Sequence, residues 1–133
     1  MPRLMSVSLT EPQVRDRTKT VTRRRGWLHL KAGDRVLLCR KVMGRRRGEP
    51  LVRIVEVEIL VVTREPLNQI TAAEVRAEGF PEMGPAEFIE FFCRTHKGCN
   101  PTSTVTRIQW QYLSAVDIDE PTAVPASARA VVS

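Results

Sequence analysis

Apolar residues fall mainly at strand spacing in the first half of the chain and at helical spacing later. Residues 4–9, Leu-Met-Ser-Val-Ser-Leu, alternate well enough for a short first strand. Thr10-Glu11-Pro12 then reads as a helix start, with Thr10 as cap and Pro12 in the first turn, and the helix ends near Arg17. Residues 18–25 are polar, β-branched and basic, a pattern suited to a surface-facing extended segment. Lys31-Ala32-Gly33-Asp34 predicts a turn that launches a strand over 35–42. The apolar centre of that strand, residues 36–39, suits cover on both faces.

Residues 43–50 form a loop in which Gly44 and Gly48 flank an arginine triplet, which suits a hairpin tip that carries charge outward. The strongest strand is 51–62. Val52 and Ile54 point one way, while Val55, Val57, Ile59 and Val61 alternate with Glu56, Glu58 and Leu60. The phase slips at 54/55, and because side chains alternate with a period of two, a β-bulge or bend is expected there. Thr71-Ala72-Ala73-Glu74 is a capping-box pattern, with Ile70 and Val75 as a hydrophobic staple. It predicts a helix over 72–78 ended by Gly79. Gly84-Pro85 opens a second helix to about Arg94, with Phe88, Ile89, Phe92 and Cys93 on one face. A polar loop over 95–103 precedes a last strand, 104–113, in which Ile108, Trp110 and Tyr112 share a side opposite Arg107, Gln109 and Gln111.

These elements sum to an α+β domain: a curled sheet of five or six strands, forming a small, mixed, partly closed β-barrel with short flanking helices. The domain is expected over 1–116. Residues 117–133, rich in Pro, Ala and Ser, read as a C-terminal tail with little core of its own. The 133 residues suit one domain with a real core. No run of 18 uncharged apolar residues occurs, so no membrane span is expected. The first six residues lack the apolar centre of a signal peptide, and a cytoplasmic location is expected. Three cysteines do not resemble a secreted disulfide framework.

Charge changes the picture more than composition does. The net charge is +6, but residues 1–49 hold fourteen Lys/Arg against four Asp/Glu, and residues 50–133 hold seven against eleven. The first part suits an anionic partner. Its two triplets, Arg23-Arg24-Arg25 and Arg45-Arg46-Arg47, suit phosphate contact by RNA or another single-stranded nucleic acid; a solvated surface is the plainer alternative.

Walker A, Gly-x-Gly-x-x-Gly, His-Glu-x-x-His and Gly-x-Ser-x-Gly motifs are all absent. The informative stretch is Lys19-Thr20-Val21-Thr22-Arg23-Arg24. In an extended segment Thr20, Thr22 and Arg24 share a face, and a turn must intervene for Lys19 to cooperate with Thr22.

Lys19-x-x-Thr22-x-Arg24 resembles the signature of the ASCH domain, a family of the PUA-like superfamily of small β-barrels. Residues 30–36, Leu-Lys-Ala-Gly-Asp-Arg-Val, are similar to its turn, Gly-Asp and strand segment. Ala77-Glu78-Gly79-Phe80 is similar to its Glu-Gly motif after a short helix, and residues 105–113 to its closing strand. The resemblance covers about residues 5–113 and implies a role with RNA or a modified nucleoside. One branch of the family, the bacterial N4-acetylcytidine amidohydrolases, uses a Lys, a Thr and a Glu. Motif by motif these fall on Lys19, Thr22 and Glu78, while Arg24 would bind substrate. The chain departs from the minimal enzyme in its Arg45–Arg47 loop, its longer 80–103 segment and its tail.

Cleaving an amide needs a nucleophile, a proton shuttle and oxyanion stabilisation. Thr22 can attack with neutral Lys19 as base. Alternatively Glu78 activates water while a charged Lys19 steadies the oxyanion and Thr22 orients substrate. A third possibility is a purely structural Lys19–Glu78 ion pair. A non-catalytic RNA- or DNA-binding module, or a protein-interaction module, is the alternative function. Trp27 follows the first arginine triplet and suits either stacking on a base or plugging a barrel end. Cys93-x-x-His96-x-x-Cys99 offers three zinc ligands, with Cys39 or His29 as a fourth, but the usual Cys-x-x-Cys pairs are missing. Buried thiols are the simpler reading, a Cys93–Cys99 disulfide is disfavoured in a reducing compartment, and no metal or cofactor is expected.

Overall fold

The computed structural model describes residues 2–119. Its strands are β1 (Arg3–Ser6), β2 (Val21–Arg24), β3 (Arg35–Cys39), β4 (Arg53–Pro66) and β5 (Thr104–Tyr112), and its helices are α1 (Glu11–Arg15), α2 (Ala72–Ala77) and α3 (Pro85–Thr95). The strands form one mixed sheet in the order β1-β3-β4-β5-β2, with β1 parallel to β3 and the other pairs antiparallel. The sheet curls into a half-barrel, so the fold is the α+β, partly closed barrel that the pattern predicts.

The long strand β4 shows why the sheet curls. Leu38 pairs with Val55 and Cys39 with Arg53, leaving Ile54 as an extra residue; Ile54 and Val55 are both buried. This is the slip expected at 54/55. A second slip, between Ile59 and Val61, was not legible in the alternation. It turns Val61 outward, 39% exposed, and brings Val62 against the core in its place. The loop between β3 and β4 turns on Gly44 and Gly48, both at positive φ.

Two apolar clusters result. The larger fills the barrel with Met5, Leu38, Ile54, Val57, Ile108 and Trp110 among others. The second lies beneath α2 and α3 and includes Ile70, Val75, Phe88, Phe92 and Val105. At the start of α2, Thr71 accepts a hydrogen bond from the Glu74 backbone N–H at 3.3 Å. The other half of the capping box is not made, because the Glu74 carboxylate is drawn to Arg107 and Arg23. Thr10 precedes α1 without making a side-chain cap and is itself buried.

Residues 18–25 correct an expectation. Lys19, Val21, Thr22 and Arg23 are buried rather than surface-facing. β2 pairs with β5, and the Thr20 N–H donates to the Ala77 carbonyl of α2, so the outer layer covers the segment. Its charges are tolerated there because acidic partners come with that layer.

Residues 117–119, the first of the expected tail, bind back onto the body; residues 120–133 lie outside the described residues. Asp117 pairs with Arg15 and Arg17 at 2.8 Å each, and the Ile118 and Asp119 N–H groups donate to the carbonyls of Ile54 and Arg53. A chain ended after residue 116 therefore melts below one ended after residue 119. The expected gap is about 1–3 kcal/mol in denaturant titration, from the lost ion pairs and backbone hydrogen bonds; equal midpoints would show these contacts to be inert.

Candidate functional site

β1 and β2 are the two ends of the sheet, and a cavity of about 180 Å³ opens beside their seam. Ser6 to Thr10 line one side and Lys19, Thr22, Arg23 and Arg24 the floor. Glu78 and Phe80 come from the end of α2, and Phe88, Phe91, Phe92, Thr95 and His96 from α3. Arg24 closes the seam, since its Nη2 donates to the Ser6 carbonyl at 2.7 Å and its Nε to Thr22 Oγ1 at 3.2 Å.

Lys19 is held at both backbone ends. Its N–H donates to the Gln13 carbonyl at 3.1 Å, and its carbonyl accepts from the Trp110 indole at 3.2 Å and from the Tyr112 hydroxyl. The side chain points inward, where Nζ donates to the Glu78 carbonyl at 2.7 Å and lies 3.4 Å from Glu78 Oε1. Burial drives the Lys19 ammonium down to about 8; Glu78 opposes this shift, and Arg24 and Arg23 add to it. Lys19 and Thr22 thus reach one cavity across a spacing of three, and strict alternation fails from 19 to 22. No hydrogen bond joins Lys19 Nζ to Thr22 Oγ1 among the described residues.

Glu78 is fixed by the way α2 ends. Gly79, at φ +104°, donates to the Arg76 carbonyl, and Phe80 donates to the Val75 carbonyl, a Schellman closure. A Cβ on Gly79 would sit 3.2 Å from Gln13, whose Nε2 donates to the Gly79 carbonyl at 2.9 Å. Glycine is therefore needed twice here, for the backbone angle and for the close approach to α1.

Arg23 faces away from Thr22, with a fully buried side chain. It meets Glu74 at 2.8 Å, Glu78 at 3.1 Å and Glu65 at 3.3 Å. Its Nε has no partner among the described residues. The Glu74 carboxyl is held down at about 2, chiefly by its hydrogen bond to Arg107, with Arg23 assisting against the opposing effect of burial. Arg23 is expected as a phosphate contact; here both of its terminal nitrogens are taken by carboxylates instead. Arg24 has no carboxylate partner among the described residues, and burial lowers its pKa.

The other candidates lie apart. Arg25 is exposed, and Arg45, Arg46 and Arg47 are exposed at the β3–β4 loop, outside the cavity lining. Trp27 packs against the barrel core under the Arg3 guanidinium, 5.4 Å from the ring centroid. Of the two roles open to it, stacking on a base and plugging a barrel end, this position fits the second, and the ring does not line the cavity. Cys93 and Cys99 approach to 3.9 Å, but the His96 ring stacks on Phe92, Cys39 is buried in β3 and His29 is exposed. No group of three side chains able to hold a metal forms among the described residues. Two features went unread in the sequence: the Arg23 carboxylate cluster and the aromatic wall. The available signal for the wall was that all four phenylalanines, Phe80, Phe88, Phe91 and Phe92, fall within thirteen positions.

No protein-family model and no curated protein matches the chain. A similar solved structure is the crystal structure of protein EF3133 from Enterococcus faecalis V583, assigned to DUF984. It is 14% identical, with a TM-score of 0.58, over 94% of this chain and 86% of that one. At that identity the likeness shows a shared curled half-barrel and nothing finer. None of the described helices is long and apolar enough to cross a membrane.

The depressed Lys19 pKa has a measurable consequence. Between about pH 8 and the ordinary value of 10.5, the folded protein has released this proton and the unfolded chain still holds it, so stability rises with pH. The difference in unfolding free energy between wild type and Lys19→Met should grow in favour of wild type by up to about 3 kcal/mol over that window. A difference that stays flat from pH 7 to 10.5 would mean that Lys19 titrates normally.

Proposed function

We propose that the protein is an ASCH-type domain whose cavity takes a modified nucleobase and hydrolyses an acyl amide on it, N4-acetylcytidine being the sharpest candidate. The carrying observation is that Lys19, Thr22 and Glu78 converge on one cavity although Lys19 and Glu78 stand 59 residues apart in the chain. The volume supports a single ring with a small substituent, since a cavity of about 150 Å³ already holds benzene. The phenylalanine wall suits a planar ring, and the polar floor suits the amide.

Of the three chemical schemes, the geometry favours Lys19 as base. Both Glu78 oxygens are engaged, Oε2 by Arg23 and Oε1 by Lys19. Burial supplies a usable fraction of neutral amine near neutral pH. Thr22 Oγ attacks the acyl carbon and its proton passes to Lys19 Nζ. The C–N bond then breaks as Lys19 returns the proton to the exocyclic nitrogen. The deacylated base leaves, and water then cleaves the threonyl ester by the same route, giving acetate and restoring the Thr22 hydroxyl. Arg24, which makes no salt bridge among the described residues, donates to the developing oxyanion. Glu78 holds Lys19 in place.

Purified protein should release acetate from N4-acetylcytidine, with kcat/KM rising toward pH 8. Lys19→Met and Thr22→Ala should each lower the rate by about 10²–10⁴-fold. An intact substrate at high protein concentration, or undiminished cleavage by Thr22→Ala, would overturn the assignment.

A second function, non-catalytic binding of single-stranded RNA or DNA, is favoured by one observation: Arg45, Arg46 and Arg47 are all exposed on the β3–β4 loop. Replacing the three by Ala should flatten the slope of log affinity against log salt by about 2 for a single-stranded oligonucleotide. An unchanged slope removes this loop from phosphate contact.

A further inference from the structure

The amide chemistry leaves one reactive pair unused. Cys93 stands in the last turn of α3, and Cys99 follows a short turn beyond the helix. The Cys99 N–H donates to the His96 carbonyl at 3.1 Å, and Gly98 takes a positive φ of 78°. This turn folds the chain back so that the two sulfurs lie 3.9 Å apart, both thiols free and only partly buried. The third cysteine, Cys39, is fully buried in β3. A disulfide needs its sulfurs at about 2.05 Å, so each Sγ must travel on the order of 1 Å, within reach of a side-chain rotation.

What the pair encloses matters more than the pair itself. Thr95 and His96 lie between the two cysteines and form part of the cavity wall. The His96 ring stacks on Phe92 with centroids 3.9 Å apart and planes within 9°, and its Nδ1 lies 2.9 Å from the Phe92 carbonyl. Phe92 lines the same cavity. A covalent link from 93 to 99 would close a seven-residue ring around this wall.

We propose that Cys93 and Cys99 form a redox modification site, converted to an intramolecular disulfide by a peroxide or a low-molecular-weight disulfide, and that the link fixes the His96 side of the cavity. With peroxide, the Cys99 sulfur takes one oxygen and becomes a sulfenic acid, releasing water. The Cys93 sulfur then attacks the Cys99 sulfur, the S–O bond breaks and a second water leaves. Two thiols are oxidised and one peroxide is reduced. With a disulfide reagent, two exchange steps release two small thiols instead. The two sulfurs can exchange these roles, since both are partly exposed and stand 3.9 Å apart. This inference is independent of the hydrolase assignment, since it concerns the wall and not what the cavity binds.

The test uses the full chain, titrated with hydrogen peroxide and, separately, with oxidised glutathione. Of the three thiols, two should disappear without a retained adduct, peptide mapping should show Cys93 joined to Cys99, and dithiothreitol should restore both. Cys39→Ser should behave as wild type. Cys93→Ser and Cys99→Ser should instead retain a thiol or carry one glutathione. Dimers, single-cysteine adducts in wild type, or no thiol loss under conditions that oxidise a free dithiol would overturn the site. Coupling to the cavity is read separately: the His96 ring resonances should shift on oxidation in wild type and not in Cys99→Ser. A confirmed disulfide with unmoved His96 resonances would overturn the second half of the proposal.

Discussion

The structure depends on burying one guanidinium. Arg23 lies beneath the outer layer with Glu65, Glu74 and Glu78 around it, and these carboxylates come from the end of β4 and from α2. Removing a charge of this kind from water costs several kcal/mol unless its partners are in place. The sheet can therefore carry Arg23 only if α2 docks, and α2 docks where its acids meet Arg23. Arg107 on β5 ties Glu74 to the neighbouring strand. Through Glu78 the same cluster reaches Lys19, so what secures the layers also sets the chemistry of the cavity floor.

Such an arrangement ranks specificity above bulk stability. A well-packed apolar cluster in its place would be about as stable or more so. The ionic one ties α2 to β2 and β5 through Glu74 and Glu78, and the same docking brings Glu78 to Lys19. Gly79 completes the constraint, since only glycine permits both the turn and the contact with Gln13. The backbone of Lys19 is meanwhile pinned by Trp110 and Tyr112, two aromatic residues whose rings serve the barrel and whose polar tips serve the site.

Much of this was legible before any coordinates. The slip at 54/55 could be read because a period of two leaves no other way to bury both Ile54 and Val55. The helix ends at Thr71 and Gly79 could be read because their chemistry is local. The meeting of Lys19, Thr22 and Glu78 on one cavity was suggested by motif order and not by spacing, since nothing local measures a separation of 59 residues. The burial of Lys19, Val21, Thr22 and Arg23 is illegible for the same reason. A basic, β-branched stretch looks like surface when the acids that neutralise it lie forty to sixty positions away. Trp27, read as either a base-stacking group or a barrel plug, packs against the barrel core, because the chain bends at Arg25 and the ring settles under Arg3.

The two apolar clusters meet at the cavity instead of merging into one core. One fills the barrel, and the other joins α2 and α3 to the start of β5 through Val105. A guest molecule seated between them would rest on the strands' polar floor and against the phenylalanines of the overlying layer, so its binding would act as a bridge between two otherwise separate bodies of apolar packing.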